Sequence, residues 1–254
     1  MILTIVWILL LLERVQSLSN SASASVPARL LVLDTLVPGQ RLRLDITDPP
    51  PSFLDLCRNE PFPIVVVGRE GLSLHSRGVE VFLEGDSSSN SRCSSLTLAA
   101  TGRIADISDD GIDEGSRWKG REGRVRWLTN LQEDDYALSP GKEPKEVTTE
   151  KIMALCETIG DLASEWEDTL KVSGRERFPG HFRGIMEDLG SIPDEPNRRA
   201  LWVAGLINPL PALGVALEVR PAVLTARTTS RRLILAKQGL RDSVDRMRRP
   251  GPCF

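Results

Sequence analysis

The chain has 254 residues, of which 41% are hydrophobic and 26% charged. That is globular composition, with room for one large domain or two small ones. The net charge of -3 supplies no overall basic field of the kind that marks nucleic-acid binding. The four cysteines, Cys57, Cys93, Cys156 and Cys253, have no CxxC spacing, and the only histidines, His75 and His181, are far apart in sequence. Zinc knuckles and thioredoxin-type motifs are thereby excluded, and a zinc site or a His-based triad would have to be assembled from very little.

At the N-terminus, "MILTIVWILLLLERVQS" opens with an unbroken apolar run, Ile2 to Leu12. The run is short for a membrane-spanning helix and fits the apolar region of a secretory signal peptide. Small-residue cleavage sites follow at Val15-Gln16-Ser17 and Ala22-Ser23-Ala24. The basic residues that usually precede such a run are missing, and an anchor formed by residues 2–12 is the alternative. From Val15 to Leu33 the chain is rich in Ser and Ala, contains Arg29 and has no acidic residue. Such a composition resembles a transit peptide, so the whole resembles the bipartite presequence of an alga with complex plastids. Residues 1–25 are read as a targeting segment outside the fold.

From Leu30 to about Tyr136 the signals are strand and turn. The apolar run "LLVLDTL" leads into Pro38-Gly39, where Pro fixes φ and Gly accepts the positive φ of a type II turn. Leu42, Leu44 and Ile46 then alternate with Arg41, Arg43 and Asp45, the pattern of a half-buried strand. "DPPPSFLDLC" has room only for a short helix after the prolines, with Phe53, Leu54 and Leu56 inward. Phe62 to Gly68, "FPIVVVG", is a buried strand. Gly78 to Gly85, Leu96 to Ile107 and Arg121 to Thr129 are further strands. Asp86 to Ser95 is a polar low-complexity loop, and "SDDGIDEGSRWKG" is rich in turn residues.

After "LSPGKEPKE" the period becomes helical. Ile152, Leu155, Cys156, Ile159, Leu162, Ala163, Trp166 and Leu170 form one stripe, with Gly174 as a stop. A shorter helix spans His181 to Leu189, followed by Gly190. Asp194 and Pro196 open another, as cap and first-turn proline; it carries Leu201, Val203, Leu206 and Ile207, and Pro209 ends it. "RPAVLTA" is a short turn of helix. The last helix runs from Thr229 or Ser230 to about Arg248, with Leu233, Ile234, Leu240, Val244 and Met247 on its apolar side. Arg227 to Arg249 is strongly basic, with Arg231, Arg232 and Arg241 among its cations, and reads first as a solvated face. Strands first and helices second argue for α+β and against βαβ winding.

Chemical motifs are mostly imitations. "GSRWKGRE", Gly115 to Glu122, lacks the Lys-[ST] of a phosphate loop. "DISDDGIDEGSR" places Asp106, Ser108, Asp110, Gly111 and Glu114 at calcium-loop positions, but Arg117 stands where a bidentate Glu must close the cage. There is no G-x-S-x-G elbow. His181 in "FPGHFRG" offers a lone general base, or a helix-start packing residue. Trp118 and Trp127 are candidates for an aromatic contact surface, while Trp166 and Trp202 read as core. These residues form no catalytic, cofactor or metal constellation.

Read together, "LLVLDTLVPGQRLRLDITDPPPSFLDL" and "FPIVVVG" resemble the start of the Lon N-terminal domain. Pro38-Gly39, Leu44, Ile46, Asp48-Pro49, Leu54, Phe62 and Val65 to Val67 hold the matching positions. "ATGRIADI", with Gly102, Ile104 and Ile107, and "EGRVRWL" resemble later strands of that family. "RRALWVAGLINPLPALGVALEVRPAVLTA" and the final helix resemble the helical bundle of stand-alone Lon-N-like proteins from photosynthetic organisms. The serine loop and "PPSFLDL" depart from the family pattern. The resemblance implies an α+β fold: a PUA-like β-barrel over residues 28–140, then a helical bundle over 145–249, together one domain. It also implies a non-catalytic, protein-binding module, an adaptor or chaperone-like factor without the ATPase and Ser-Lys protease parts of Lon. It implies no cofactor and assigns no binding-groove residues. RNA is the alternative partner, since PUA-like barrels also bind RNA, and a hydrolase using an unrecognised Ser or His181 is the third reading.

Overall fold

The computed structural model describes residues 25–47, 61–70, 73–86, 93–108, 121–128, 131, 149–176, 178–207 and 216–249. The targeting segment up to residue 24, the short helix expected in 48–57, most of the acidic loop, Trp118 and Pro209 lie outside these residues.

Six strands come first: β1 (Val26–Val32), β2 (Arg41–Thr47), β3 (Ile64–Glu70), β4 (Ser73–Asp86), β5 (Cys93–Ile107) and β6 (Arg121–Leu128). Five helices follow: α1 (Thr149–Ser173), α2 (His181–Leu189), α3 (Pro196–Ile207), α4 (Ala216–Thr225) and α5 (Thr229–Arg248). The sheet is mixed. β1 and β3 pair in parallel, and the pairs β3–β4, β4–β5, β5–β6 and β1–β6 are antiparallel. These pairings run in a closed circuit, which removes strand edges as a barrel does. β2 stands outside the circuit, antiparallel to the first half of β5, from Arg41↔Ala99 to Thr47↔Cys93.

The hydrophobic runs follow from this topology. β1 and β3 are buried on both faces, so they carry continuous apolar runs. Leu30, Val65 and Val67 pack into one cluster with Ala105 and Val125. Leu31, Ile64 and Val66 face the other way, into a cluster with Leu36, Leu96 and Leu98. β2 is covered on one face only, so its sequence alternates: Leu42 and Leu44 pack against that second cluster.

The helices share one core with the sheet. Val37, Val79 and Ile104 join Trp166, Leu201, Leu206, Leu233 and Leu240 in a single buried cluster. α1 buries Cys156, Ile159, Ala163, Trp166 and Leu170. It stops at Gly174, which has φ of 62° and donates its N–H to Leu170 O at 3.1 Å. Trp166 and Trp202 are both core, as expected; their indole N–H groups reach Ser243 Oγ at 2.8 Å and Gly190 O at 3.0 Å.

Several local expectations are corrected. Glu195, not Asp194, caps α3: its carboxylate accepts the N–H groups of Asn197 at 2.9 Å and Arg198 at 2.6 Å. Asp194 is exposed and faces Arg199. α4 is longer than the short turn expected at "RPAVLTA": it begins at Ala216 and runs through Pro221. On α5, Ile234 is exposed and Arg232 is buried. Arg232 Nη1 donates to Asn197 Oδ1 at 2.8 Å and to Leu131 O at 3.2 Å, which satisfies a charge that sequence alone would leave in water.

Arg77 ties the sheet to the helical half. It is buried on β4 and bonds Asp106 Oδ1 at 3.0 Å, Leu224 O at 3.2 Å and Ala226 O at 3.0 Å. Asp106 also accepts from Arg126. The two carbonyls lie at the C-terminal end of α4, where helix carbonyls lack intrahelical partners and cations are favoured.

His75 on β4 is partly buried, and burial pushes its imidazole below the usual range against the opposing pull of Glu70. A depressed histidine favours folding when neutral. Its contribution is present above the ordinary value near pH 6.5 and is lost as pH falls below it toward the lower folded value. Thermal melts from pH 7 to 5 should show this loss, and the loss should be smaller in His75→Gln. An identical pH profile for the two proteins would contradict it.

Candidate functional site

The site is built around the corner between β1 and β2. Gln40 N–H donates to Val37 O at 3.2 Å and Gly39 has φ of 84°, the type II turn expected from Pro38-Gly39. The Gln40 side chain is buried and fixes the corner from inside. Its Oε1 accepts the Val37 N–H at 3.0 Å, and its Nε2 donates to Gly205 O on α3 at 3.4 Å. The backbone exchanges bonds with β5: Ala100 N–H to Gln40 O at 2.9 Å, and Gly39 N–H to Ala100 O at 3.4 Å. One corner thus touches the sheet and the helices together.

A groove opens on each side of this corner, and Leu189 of α2 lines both. The first has a volume of about 330 Å³ and is lined by Arg41, Arg43, Phe178, His181, Ile185 and Asp188. Its charges neutralise one another. Asp188 Oδ1 accepts from Arg41 Nη1 and from Arg43 Nη2, each at 3.1 Å, and Arg41 also forks onto Glu84. The hydrogen bond to Glu84, with Asp188 beside it, holds the Arg41 guanidinium above its ordinary value, and Arg41 holds the Glu84 carboxyl below its own. His181 opens α2 and stacks on Phe178 with ring centroids 4.6 Å apart, a packing role at a helix start. The N-terminal turn of α2 is already supplied with an anion, since Glu176 accepts from Gly180 N–H at 3.2 Å and Phe182 N–H at 3.0 Å.

The second groove is larger, about 750 Å³. Pro38, Ala100, Gly102 and Ile104 form one wall, and Pro193, Glu195, Asn197, Arg198, Leu201 and Trp202 of the α3 region form the other. Both its size and its apolar lining with a few polar groups are those of a ligand-binding cleft.

The other residues singled out in the sequence are dispersed. Trp127 is covered by the Arg103 guanidinium, 4.0 Å from its ring centroid, a cation–π pair on the sheet surface. Asp106, the first position of the calcium-like loop, is engaged by Arg77 and Arg126. Among the described residues no group of three or more His, Cys, Asp or Glu has the arrangement to hold a metal, and no helix is long and apolar enough to cross a membrane. Cys156 is a free buried thiol whose pKa is raised by burial. The basic run of α5 is divided: Arg232 is buried, Arg248 pairs with Glu165 at 2.6 Å, and Arg231 and Arg241 are exposed.

Two solved structures superpose on most of the chain. One is the crystal structure of a Lon N-terminal domain protein from Xanthomonas campestris, at 18% identity over 82% of this chain and 95% of that one, with a TM-score of 0.47. The other is the N-terminal domain of the Mycobacterium avium complex Lon protease, at 16% identity over 85% of this chain and 99% of that one, with a TM-score of 0.52. This is the Lon N-terminal fold. The second superposition carries that assignment, and it spans both the sheet and the helices. No protein-family model and no curated protein sequence matches the chain. Within the Lon N-terminal fold, the Pro38-Gly39 corner lies at the seam between the two halves, where both grooves are.

Replacing Gln40 by Leu should leave the Val37 N–H and the Gly205 carbonyl without partners and cost about 2 kcal/mol. Gly39→Val, at positive φ, should cost at least about 1–2 kcal/mol. Chemical denaturation of both variants checks this, and wild-type midpoints would contradict the account of the corner.

Proposed function

We propose that this chain is a non-catalytic polypeptide-binding module of the Lon N-terminal type, serving as an adaptor or chaperone-like factor. The observation that carries the reading is the large, mostly apolar groove at the seam of a fold otherwise seen at the N-terminus of an ATP-dependent protease. An apolar cleft between a sheet and a helix suits an unfolded or extended chain, which exposes both apolar side chains and backbone carbonyls. The sequence order from "LVPGQRLRLDI" to the final helix supports the same family placement. RNA is the weaker partner, because the cations of α5 are interrupted by one buried arginine, one ion pair and the acids Asp242 and Asp245.

We also propose that residues 1–25 direct the chain into the secretory pathway, onward to a plastid if the Ser/Ala-rich segment acts as a transit peptide. Sequencing the mature N-terminus from native material tests this. A start between Leu18 and Pro27 is the expected result, and an intact Met1 would favour an anchor.

The binding reading is tested by fluorescence anisotropy with labelled α-lactalbumin. The reduced, carboxymethylated, permanently unfolded form should bind, and the native form should not. Poly(U) should show no binding at low salt. Absence of binding to the unfolded chain would sink the reading, and salt-sensitive binding of poly(U) in its place would favour RNA.

A further inference from the structure

We propose that the larger groove holds one extended, apolar polypeptide segment bearing an acidic residue, laid along β5 with its acid against Arg198. This rests on the polypeptide-binding reading and specifies its site.

The first observation is a break in the strand ladder. β5 leaves β2 after the pair Arg41↔Ala99 and the backbone bonds at Ala100, and it meets β6 only at Ile104↔Leu128. Against β4 the register also slips, from Val81↔Ala100 to Val79↔Ile104. Thr101, Gly102 and Arg103 therefore fall outside every strand register. The Arg103 N–H is taken by Thr101 Oγ1 at 3.1 Å, so the unladdered backbone of the groove wall centres on Gly102, and backbone outside a ladder is where a strand can be added. Gly102 is exposed, and a Cβ there would meet no atom within 4 Å. There is thus open space over the wall at Gly102, where a ligand backbone would approach.

The second observation is a buried donor. Asn197 lines the groove and is 1% exposed. Its Oδ1 accepts from Arg232, which fixes the orientation of the amide and leaves Nδ2 as the donor. Among the described residues Nδ2 has no hydrogen-bond partner. Unpaired buried donors are uncommon and unfavourable, and a backbone carbonyl pressed against this wall would satisfy it.

The third is charge. Arg198 lines the same groove, is exposed, and its side chain makes no ion pair among the described residues. Glu195 lines the same groove, and its carboxylate accepts the N–H groups of Asn197 and Arg198 that open α3. The groove thus offers one exposed cation, Arg198, beside an anion, Glu195, already engaged by the N–H groups that open α3. An acidic side chain on the ligand is complementary to that arrangement.

Binding of reduced, carboxymethylated α-lactalbumin, which is unfolded and acidic, measures the proposal when followed by anisotropy alongside thermal melts. Gly102→Trp fills the groove at a position with free space and no positive φ. It should weaken binding by about tenfold or more while the melting temperature stays near wild type. Arg198→Glu, at an exposed position, should weaken binding by about tenfold with an unchanged melt. Asn197→Asp keeps the acceptor for Arg232 but removes the donor, and should weaken binding as well. Wild-type affinity in both Gly102→Trp and Arg198→Glu would place the site elsewhere and overturn this inference, leaving the general reading intact. If the wild-type protein does not bind the unfolded chain at all, both fall. Should Gly102→Trp fail to fold, Arg198→Glu alone decides.

Discussion

The Gln40 side chain holds the two halves of the molecule in register. It lies inside the corner between β1 and β2 and joins the turn at Val37 to Gly205 of α3, while the Gln40 backbone carbonyl accepts the N–H of Ala100 on β5. A buried amide in this position is favourable only if its donors and acceptors are satisfied. The partners come from segments far apart in sequence, so the corner forms only when sheet and helices dock. Both grooves are consequences of that docking, because they are the spaces left on either side of a fixed corner.

Two buried arginines reinforce the seam. Arg77 projects from the sheet onto the carbonyls that end α4, and Arg232 projects from α5 onto Asn197 at the start of α3. Buried guanidinium groups are tolerated only with several acceptors, and removing those acceptors is strongly destabilising. Their effect is geometric. Arg77 ties α4 to β4, and Arg232 orients the amide of Asn197, a residue that lines the larger groove. Arg220 is a contrasting case. It is buried, Asp34 is its electrostatic partner, and desolvation lowers its pKa to about 10.

Much of the fold was legible in the chain. The continuous runs "LLVL" and "IVVV" mark strands covered on both faces, and "RLRL" marks one covered on a single face. The Pro38-Gly39 turn and the glycine after α1 are local devices, readable because φ preferences are local. The parts that were hidden depend on distant partners. Arg232 reads as one more surface cation because its acceptors lie on α3 and at Leu131. Asp194 suits a cap by residue type, and only the path of the chain puts Glu195 in that place instead. Gly102 reads as an unremarkable strand glycine; its meaning comes from β5 changing partners around it. Asn197 and Arg198 sit almost a hundred residues beyond Ala100 in the chain, so no local pattern announces that they share a cleft.

The central claim is that the seam beside the Pro38-Gly39 corner is where this protein holds another polypeptide. Hydrogen–deuterium exchange with and without saturating carboxymethylated α-lactalbumin tests it most directly. The account predicts slowed exchange concentrated in Ala100 to Ile104 of β5 and in Pro193 to Trp202, with α5 unchanged. Protection confined to the exposed face of α5 around Arg231 and Arg241, with no change at the seam, would contradict it.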